Sequence, residues 1–182
     1  KLGDSPAQMI VHDVNGDGRA DVLSSSAHDY GFWWYEQTPG GWQAHEIDKT
    51  ISQTHALQVA DINGDGQPDF VTGKRFWAHR HEAGSEEAAV LCWHEFQGAD
   101  GQISWQRHDI DFDSGVGLHI QVLDVNGDGM LDIVTSTKKG VYLFTQEEPN
   151  SGLSHGTRIG NMCLSCSDFQ IRVNPPDPSN PR

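Results

Sequence analysis

The amino-acid sequence predicts an all-β protein made of three repeated units of four strands each. A nine-residue motif, Asp-x-Asn-Gly-Asp-Gly-x-x-Asp, occurs at residues 13–21, 61–69 and 124–132. Alternating or β-branched residues, which favour strands, flank each copy. The Asn-Gly and Asp-Gly steps inside the motif are typical of turns that join antiparallel strands. Each motif is therefore predicted to be the loop of a β-hairpin, and the copies are called loops 1, 2 and 3.

The repeat extends beyond the loops. Their first residues lie 48 and then 63 residues apart. Similar Trp-Gln-x-His segments at 42–48 and 105–111 alternate as outer strands would, and each ends 13 residues before the next loop. Apolar segments at 32–36, 91–95 and 141–144 are predicted to be third strands. The third unit lacks a Trp-Gln-x-His segment, and the alternating residues 169–173 are predicted to fill its place.

The predicted strand before each loop has one apolar and one polar face. The apolar face is expected to pack between stacked sheets, and the polar face to lie near water. The apolar pairs are Met9 with Val11, Leu57 with Val59, and Ile120 with Val122.

The loops have the oxygen ligands that calcium requires. Calcium binds six to eight hard oxygen ligands, so a chain must curl tightly around the ion, and a glycine permits that turn. Positions 1, 3, 5 and 9 of each loop supply side-chain oxygens, and position 7 supplies a backbone carbonyl. The predicted ligands are Asp13, Asn15, Asp17, Arg19, Asp21, Asp61, Asn63, Asp65, Gln67, Asp69, Asp124, Asn126, Asp128, Met130 and Asp132. The alternative is an ordinary hairpin turn shaped by its Asn and Asp side chains.

These loops differ from an EF-hand, which closes its site with a bidentate Glu at position 12 and continues into a helix. Position 12 is here Ser24, Thr72 or Thr135, and strand-forming residues follow position 9. Magnesium is disfavoured because it demands strict octahedral geometry and retains its waters.

With the three motifs spaced between strands, residues 7 to 146 resemble the FG-GAP (or VCBS) repeats of integrin α-chain-like β-propellers and of many secreted bacterial proteins. The resemblance implies that each repeat is one four-stranded blade whose loop holds calcium. The Phe-Gly pair of the family is missing before all three loops. The segment at 138–141 is similar to the late blades of larger bacterial members.

Three blades form only a partial, open propeller, because a closed one typically needs four to eight. The terminal faces of such a stack must be covered. We expect the cover to come from upstream residues, another copy of the chain or a partner protein.

Composition limits the possible partners and locations. The net charge is −14, with 26 acidic and 12 basic residues, and three calcium ions would reduce it to −8. This acidity argues against nucleic acid, which requires a basic face. No membrane span or signal peptide is expected, and a chain beginning at Lys1 suggests a removed leader or a fragment. Because calcium is millimolar outside the cell, an extracytoplasmic location is predicted.

The chain divides into residues 1–146, which hold the three repeats, and residues 147–182, an extended Pro-rich tail. The tail is predicted to dock on a partner or to supply one strand. Phe169, Ile171 and Val173 would anchor it, because they are its alternating apolar residues.

Cysteine and histidine offer weaker metal candidates. Cys163 and Cys166 have the spacing of a zinc half-site or redox pair, but a local disulfide or free thiols are favoured. Three cysteines are too few for a disulfide scaffold, and Cys92 is expected to be buried. His79 and His81 could form a transition-metal pair, but two solvated loop histidines are favoured because no third ligand is identifiable.

Two functions of different classes remain open. The first is a non-enzymatic, calcium-stabilised interaction or scaffold unit. The second is a carbohydrate-binding or polysaccharide-degrading unit that uses aromatic platforms, although tryptophans in predicted strands are more often packed between sheets. No catalytic constellation stands out in the sequence. The tryptophans concerned are Trp33, Trp34, Trp77, Trp93 and Trp105.

Overall fold

The computed structural model of the chain describes residues 1–99, 102–147 and the strand at 170–173. Every regular element among these residues is a β-strand, and no helix in this part of the chain is long and apolar enough to cross a membrane. The strands are β1 (Pro6–His12), β2 (Asp21–Ser26), β3 (Tyr30–Thr38), β4 (Gly41–Ser52), β5 (Leu57–Ala60), β6 (Asp69–Lys74), β7 (Val90–Ala99), β8 (Gln102–Asp111), β9 (Ile120–Leu123), β10 (Asp132–Thr137), β11 (Gly140–Glu147) and β12 (Gln170–Val173).

The strands form three four-stranded antiparallel sheets. Sheet 1 contains β1 to β4, sheet 2 contains β5 to β8, and sheet 3 contains β9 to β12, each in sequence order. The predicted all-β, three-blade fold class is confirmed, and the sheets do not close into a ring. Most neighbouring strands are joined by short loops, because consecutive antiparallel strands need only a hairpin connection, but longer segments join β6 to β7 and β11 to β12.

The last strand of sheet 3 comes from a distant part of the chain. β12 pairs with β11, with Val173 opposite Phe144 and Gln170 opposite Glu147. Sheet 3 thus takes its fourth strand from residues 170–173, within the segment of the tail predicted to fill this place. The remainder of the predicted tail, with Cys163, Cys166 and the Pro-rich end, lies outside the described residues.

Two apolar clusters hold the sheets together. One lies between sheets 1 and 2 and is centred on Leu23, Phe32 and Phe70, all completely buried. The other lies between sheets 2 and 3 and includes Val71 and Phe144. Burial of apolar area, at about 25 cal/mol per Å², is the main force that stacks sheets in this way.

Glutamine side chains add hydrogen bonds between the first strands of neighbouring sheets. The Leu57 amide donates to Gln8 Oε1 at 2.9 Å, and the Val122 amide donates to Gln58 Oε1 at 3.1 Å. Gln121, which occupies the position of Gln58 in the third repeat, is exposed. The polar residues of β1 and β5 therefore connect adjacent sheets, and only part of the expected polar face remains near water.

The apolar pair before each loop packs as expected in the second and third repeats but not in the first. Leu57 and Ile120 are 1% and 5% exposed, whereas Met9 and Val11 are 67% and 62% exposed. The prediction is wrong for the first repeat because no described sheet precedes β1. Sheet 1 thus presents an uncovered apolar face.

The buried polar pair of His94 and Asp48 lies between sheets 1 and 2. His94 Nε2 is 2.9 Å from Asp48 Oδ2, and its ring meets the Phe32 ring edge-on at 4.7 Å between centroids. Burial lowers the pKa of His94 and outweighs the hydrogen bond to Asp48, which acts in the opposite direction. Burial acts to raise the pKa of Asp48, but hydrogen bonds from His94 and Thr50 hold it at about 2. Arg107, Asp109 and Cys92 also face this pair.

Equivalent valines test which sheet face is covered. Val122→Ala should lower the free energy of unfolding by about 2 kcal/mol, because it removes two buried methyl groups and leaves a cavity. The matched change Val11→Ala, at the same position of the first repeat, should change it by less than about 0.5 kcal/mol. Urea unfolding measures both, and equal losses would contradict the uncovered face.

Acid should destabilise the protein through His94. A histidine held neutral in the folded chain is protonated on unfolding below its ordinary pKa of about 6.5, so this part of the stability is lost as pH falls through that value. The lowered pKa of Asp48 also makes the protein less stable in acid, at lower pH than His94 does. Its contribution to stability is lost as pH falls below the ordinary pKa of Asp. The destabilisation caused by His94→Gln should therefore be smaller at about pH 5.5 than at about pH 7.5, by roughly 1 kcal/mol. Chemical unfolding at the two pH values measures this, with His119→Gln at an exposed position as the control. The same pH-dependent change in both variants would contradict the assignment.

Candidate metal centre

Each predicted calcium loop connects the first two strands of its sheet. The glycines at positions 4 and 6 have φ angles between 71° and 87° in all three loops. Residues with a Cβ rarely adopt this left-handed region, so the tight turn requires glycine at both positions. The repeated backbone shape follows directly from the repeated motif.

The aspartate at position 9 holds each loop against the third strand of its sheet. These aspartates are Asp21, Asp69 and Asp132, and all are completely buried. In every copy one carboxylate oxygen accepts from the amide of position 2, at 3.0 to 3.2 Å. The other accepts from an amide of the third strand, at 2.8 to 3.0 Å. The two hydrogen bonds offset part of the cost of burying the charge, which would otherwise be several kcal/mol.

Side-chain oxygens at positions 1, 3 and 5 curl the rest of the loop. The position 6 amide donates to the position 1 aspartate at 2.8 to 2.9 Å in all three copies. The position 5 amide donates to the position 3 Asn Oδ1 at 2.9 to 3.1 Å. The position 7 amide donates to the position 5 aspartate at 2.8 to 2.9 Å. Three oxygen-bearing side chains are thus folded over one short turn.

The electrostatics of the loops differ with burial. Hydrogen bonds from the Gly129 and Gly127 amides lower the pKa of the exposed Asp124. Burial, reinforced by the nearby charges of Asp65 and Asp61, raises the pKa of Asp69 to about 6 even though two backbone amides oppose the shift. Burial thus favours the neutral form of Asp69, whereas backbone amides favour the charged form of Asp124.

A Glu–His pair orients the position 3 asparagine in the first two repeats. Asn15 Nδ2 donates to Glu36 Oε1 at 3.1 Å, and Glu36 Oε2 lies 2.8 Å from His45 Nε2. The second repeat reproduces this arrangement with Asn63, Glu95 and His108, at 3.4 and 2.8 Å. Because the amide nitrogen faces the glutamate, the asparagine oxygen faces the loop. The Trp-Gln-x-His segments of the sequence thus contribute a histidine that supports the loop.

The donor set fits a hard cation such as calcium. Positions 1, 3, 5 and 9 bring three carboxylates and one amide oxygen to each loop, and Asp61 Oδ1 is a buried oxygen without a hydrogen-bond partner among the described residues. In loop 1 the Arg19 guanidinium contacts Asp17 Oδ2. The same arginine offers its carbonyl as the predicted position 7 ligand.

Of the other candidate residues, Trp34 contacts loop 1, because its indole N–H donates to Asp21 Oδ2 at 2.8 Å. Trp34 and Trp93 are buried and stack on His45 and His108, with centroids 4.3 and 4.4 Å apart. Trp77 is 48% exposed. Cys92 is a free, buried thiol, as expected, and burial raises its pKa to about 12.

The two candidate histidines of the connection between β6 and β7 differ in their surroundings. His81 is exposed, whereas His79 lies against His55 and His28, with ring centroids 5.2 and 4.2 Å away. Burial lowers the pKa of His55. Glu82 completes the group. Sequence reasoning missed these partners because they are separated by up to 54 residues and belong to no motif.

Comparison with known proteins agrees with the geometry of the first repeat. The family model described as an FG-GAP-like repeat matches residues 13–72, which run from loop 1 through most of β6. No curated protein and no solved structure gave a match. The chain therefore carries an FG-GAP-like repeat, consistent with the FG-GAP/VCBS-like repeat family that its three loops and three four-stranded sheets resemble.

Proposed function

We propose that this chain is a calcium-stabilised β-propeller segment that acts as a protein-interaction or scaffold unit outside the cytoplasm. The observation that carries the proposal is the threefold loop, in which a buried aspartate at position 9 joins an exposed, oxygen-rich turn to the third strand of its sheet. An FG-GAP-like repeat suggests a β-propeller-like module for protein interaction.

Calcium would act on stability through this connection. Three carboxylates lie in each nine-residue loop and repel one another when no cation is bound. An ion held by positions 1, 3, 5, 7 and 9 would neutralise this repulsion. Because position 9 also accepts a hydrogen bond from the third strand, the ion would stabilise three strands of the sheet together with the turn.

The open ends of the stack support an interaction role. Sheet 1 exposes Met9 and Val11, and at the other end Leu123 and Val141 of sheet 3 are 44% and 76% exposed. Exposed apolar patches of this kind mark surfaces that bind other proteins. Further blades, a second copy or a partner protein would cover them, and the net charge of −14 disfavours nucleic acid.

An extracytoplasmic location suits this chemistry. FG-GAP-like repeats are typical of extracellular or secreted proteins. Calcium sites of extracellular modules bind weakly, in the range of about 0.1 to 1 mM, and are filled only where calcium is abundant.

A carbohydrate-binding unit is the second candidate. It is supported by one cleft on sheet 1, whose lining includes Tyr30, Trp33 and Tyr35. Aromatic faces of this kind suit the apolar faces of sugars. Binding to a glycan array that is lost in Trp33→Ala would favour this candidate over the first.

Calcium should raise the stability of the chain. An ion that binds only the folded state stabilises it by about 2.7 kcal/mol per site at one hundred times its dissociation constant. The melting temperature in calcium should therefore exceed that in chelator, and magnesium should substitute poorly. Scanning calorimetry measures this, and a melting temperature unmoved by chelator would show that calcium is not structural.

Removing one loop carboxylate should remove one ion. Asp65→Ala should reduce bound calcium from three ions to two per chain, because position 5 supplies a direct ligand of loop 2. Titration calorimetry and elemental analysis measure the number bound. Glu86→Ala, at an exposed acid outside the loops, is the control and should keep three ions. An intact second site in Asp65→Ala would refute the ligand assignment.

A further inference from the structure

A cluster of three histidines and one glutamate lies where sheets 1 and 2 meet, away from the calcium loops. His28 follows β2, His55 precedes β5, and the connection from β6 to β7 supplies His79 and Glu82. One ligand atom each of His28, His79 and Glu82 lies within 4.8 Å of the others. Among the described residues, no other set of three His, Cys, Asp or Glu side chains brings its ligand atoms this close together.

The glutamate lies between two histidines. Glu82 Oε2 is 2.8 Å from His28 Nδ1 and 3.9 Å from His79 Nδ1. Zinc binds imidazole nitrogen and carboxylate oxygen at about 2.0 to 2.2 Å, so its tetrahedral ligand atoms lie roughly 3.3 Å apart. The distance from Glu82 to His28 is shorter than this value, and the distance from Glu82 to His79 is longer. All three side chains are partly exposed, at 32% to 45%, so a small rotation would bring them to an ion.

His55 determines which nitrogen His79 can offer. His55 Nδ1 lies 2.8 Å from the Gln53 carbonyl, which can only accept, so this nitrogen carries the proton and Nε2 has the lone pair. His55 Nε2 is 3.1 Å from His79 Nε2, which must then donate. His79 Nδ1 is left with its lone pair, and this is the nitrogen that faces Glu82. Such hydrogen-bonded partners commonly orient the histidine ligands of metals.

The backbone holds the cluster in place. Gln53 Nε2 donates to the His79 carbonyl at 3.2 Å, which fixes the connection against the buried segment before β5. Trp77 and His81, two residues on either side of His79, have φ angles of 45° and 72°. A left-handed conformation at residues other than glycine is costly and persists where the surroundings impose it, often at binding sites.

We propose that His28, His79 and Glu82 bind a divalent transition-metal ion of the zinc type, with His55 as the positioning residue. Imidazole favours zinc and its neighbours in the first transition series, whereas the all-oxygen loops favour calcium. Three protein ligands leave a fourth position for water or an external ligand. The ion would also connect sheet 1 to the long connection of sheet 2.

Cobalt(II) is the probe that tests the site. The untagged 182-residue chain is titrated with cobalt in saturating calcium, and zinc is then used to displace it. We expect one cobalt per chain with the visible absorption of a low-coordinate nitrogen–oxygen site, abolished by one equivalent of zinc. His79→Ala and Glu82→Gln should each lose this spectrum, while the control His81→Ala keeps it.

Two measurements separate this result from misfolding and from the calcium sites. Calcium uptake and far-ultraviolet circular dichroism should be the same in all variants, and Glu82→Gln preserves side-chain size at a partly exposed position. His55→Ala should retain one ion per chain but bind it roughly 10 to 100 times more weakly, as expected of a residue that orients a ligand. Absence of a cobalt spectrum in the wild-type chain, or its survival in both His79→Ala and Glu82→Gln, would overturn the proposal. Unchanged affinity in His55→Ala would overturn the positioning role.

Discussion

The hydrogen-bonded burial of the position 9 aspartates is the interaction on which each sheet depends. Asp21, Asp69 and Asp132 are fully buried, and each joins the start of its loop to the third strand. A carboxylate in this position cannot be replaced by an apolar side chain without leaving two backbone amides unpaired. The turn, the first hairpin and the third strand are therefore coupled through one side chain.

The stacking of the sheets explains where apolar surface is buried and where it is exposed. The first strands of sheets 2 and 3 pack their apolar faces on the preceding sheet, whereas no described sheet precedes β1, so Leu57 is covered and Val11 is not. Gln8 and Gln58 repeat a hydrogen bond from one sheet to the next first strand. A stack built by such one-directional contacts is open at both ends unless it closes into a ring.

Two classes of candidate metal ligand are separated in space by residue type. Carboxylate and amide oxygens are concentrated in the loops, where glycine allows the chain to curl around them. Imidazole nitrogens are concentrated at the junction of sheets 1 and 2, where three segments meet. Near the loops, histidine acts indirectly. His45 and His108 contact the glutamates that orient the loop asparagines.

The sequence by itself determined the loops, the hairpins and the number of sheets. The hydrogen bonds inside a loop join residues at most seven apart, so a nine-residue motif specifies them, and strand alternation is equally local. Only the tertiary structure decided which apolar faces are covered, because Met9 and Leu57 look alike in sequence and differ in their neighbouring sheet. It also decided the role of the Trp-Gln-x-His segments, the placement of residues 170–173 beside β11, and the meeting of His28 with His79 and Glu82. These features depend on contacts between residues far apart in the chain, which are set by the packing of whole sheets rather than by any local pattern.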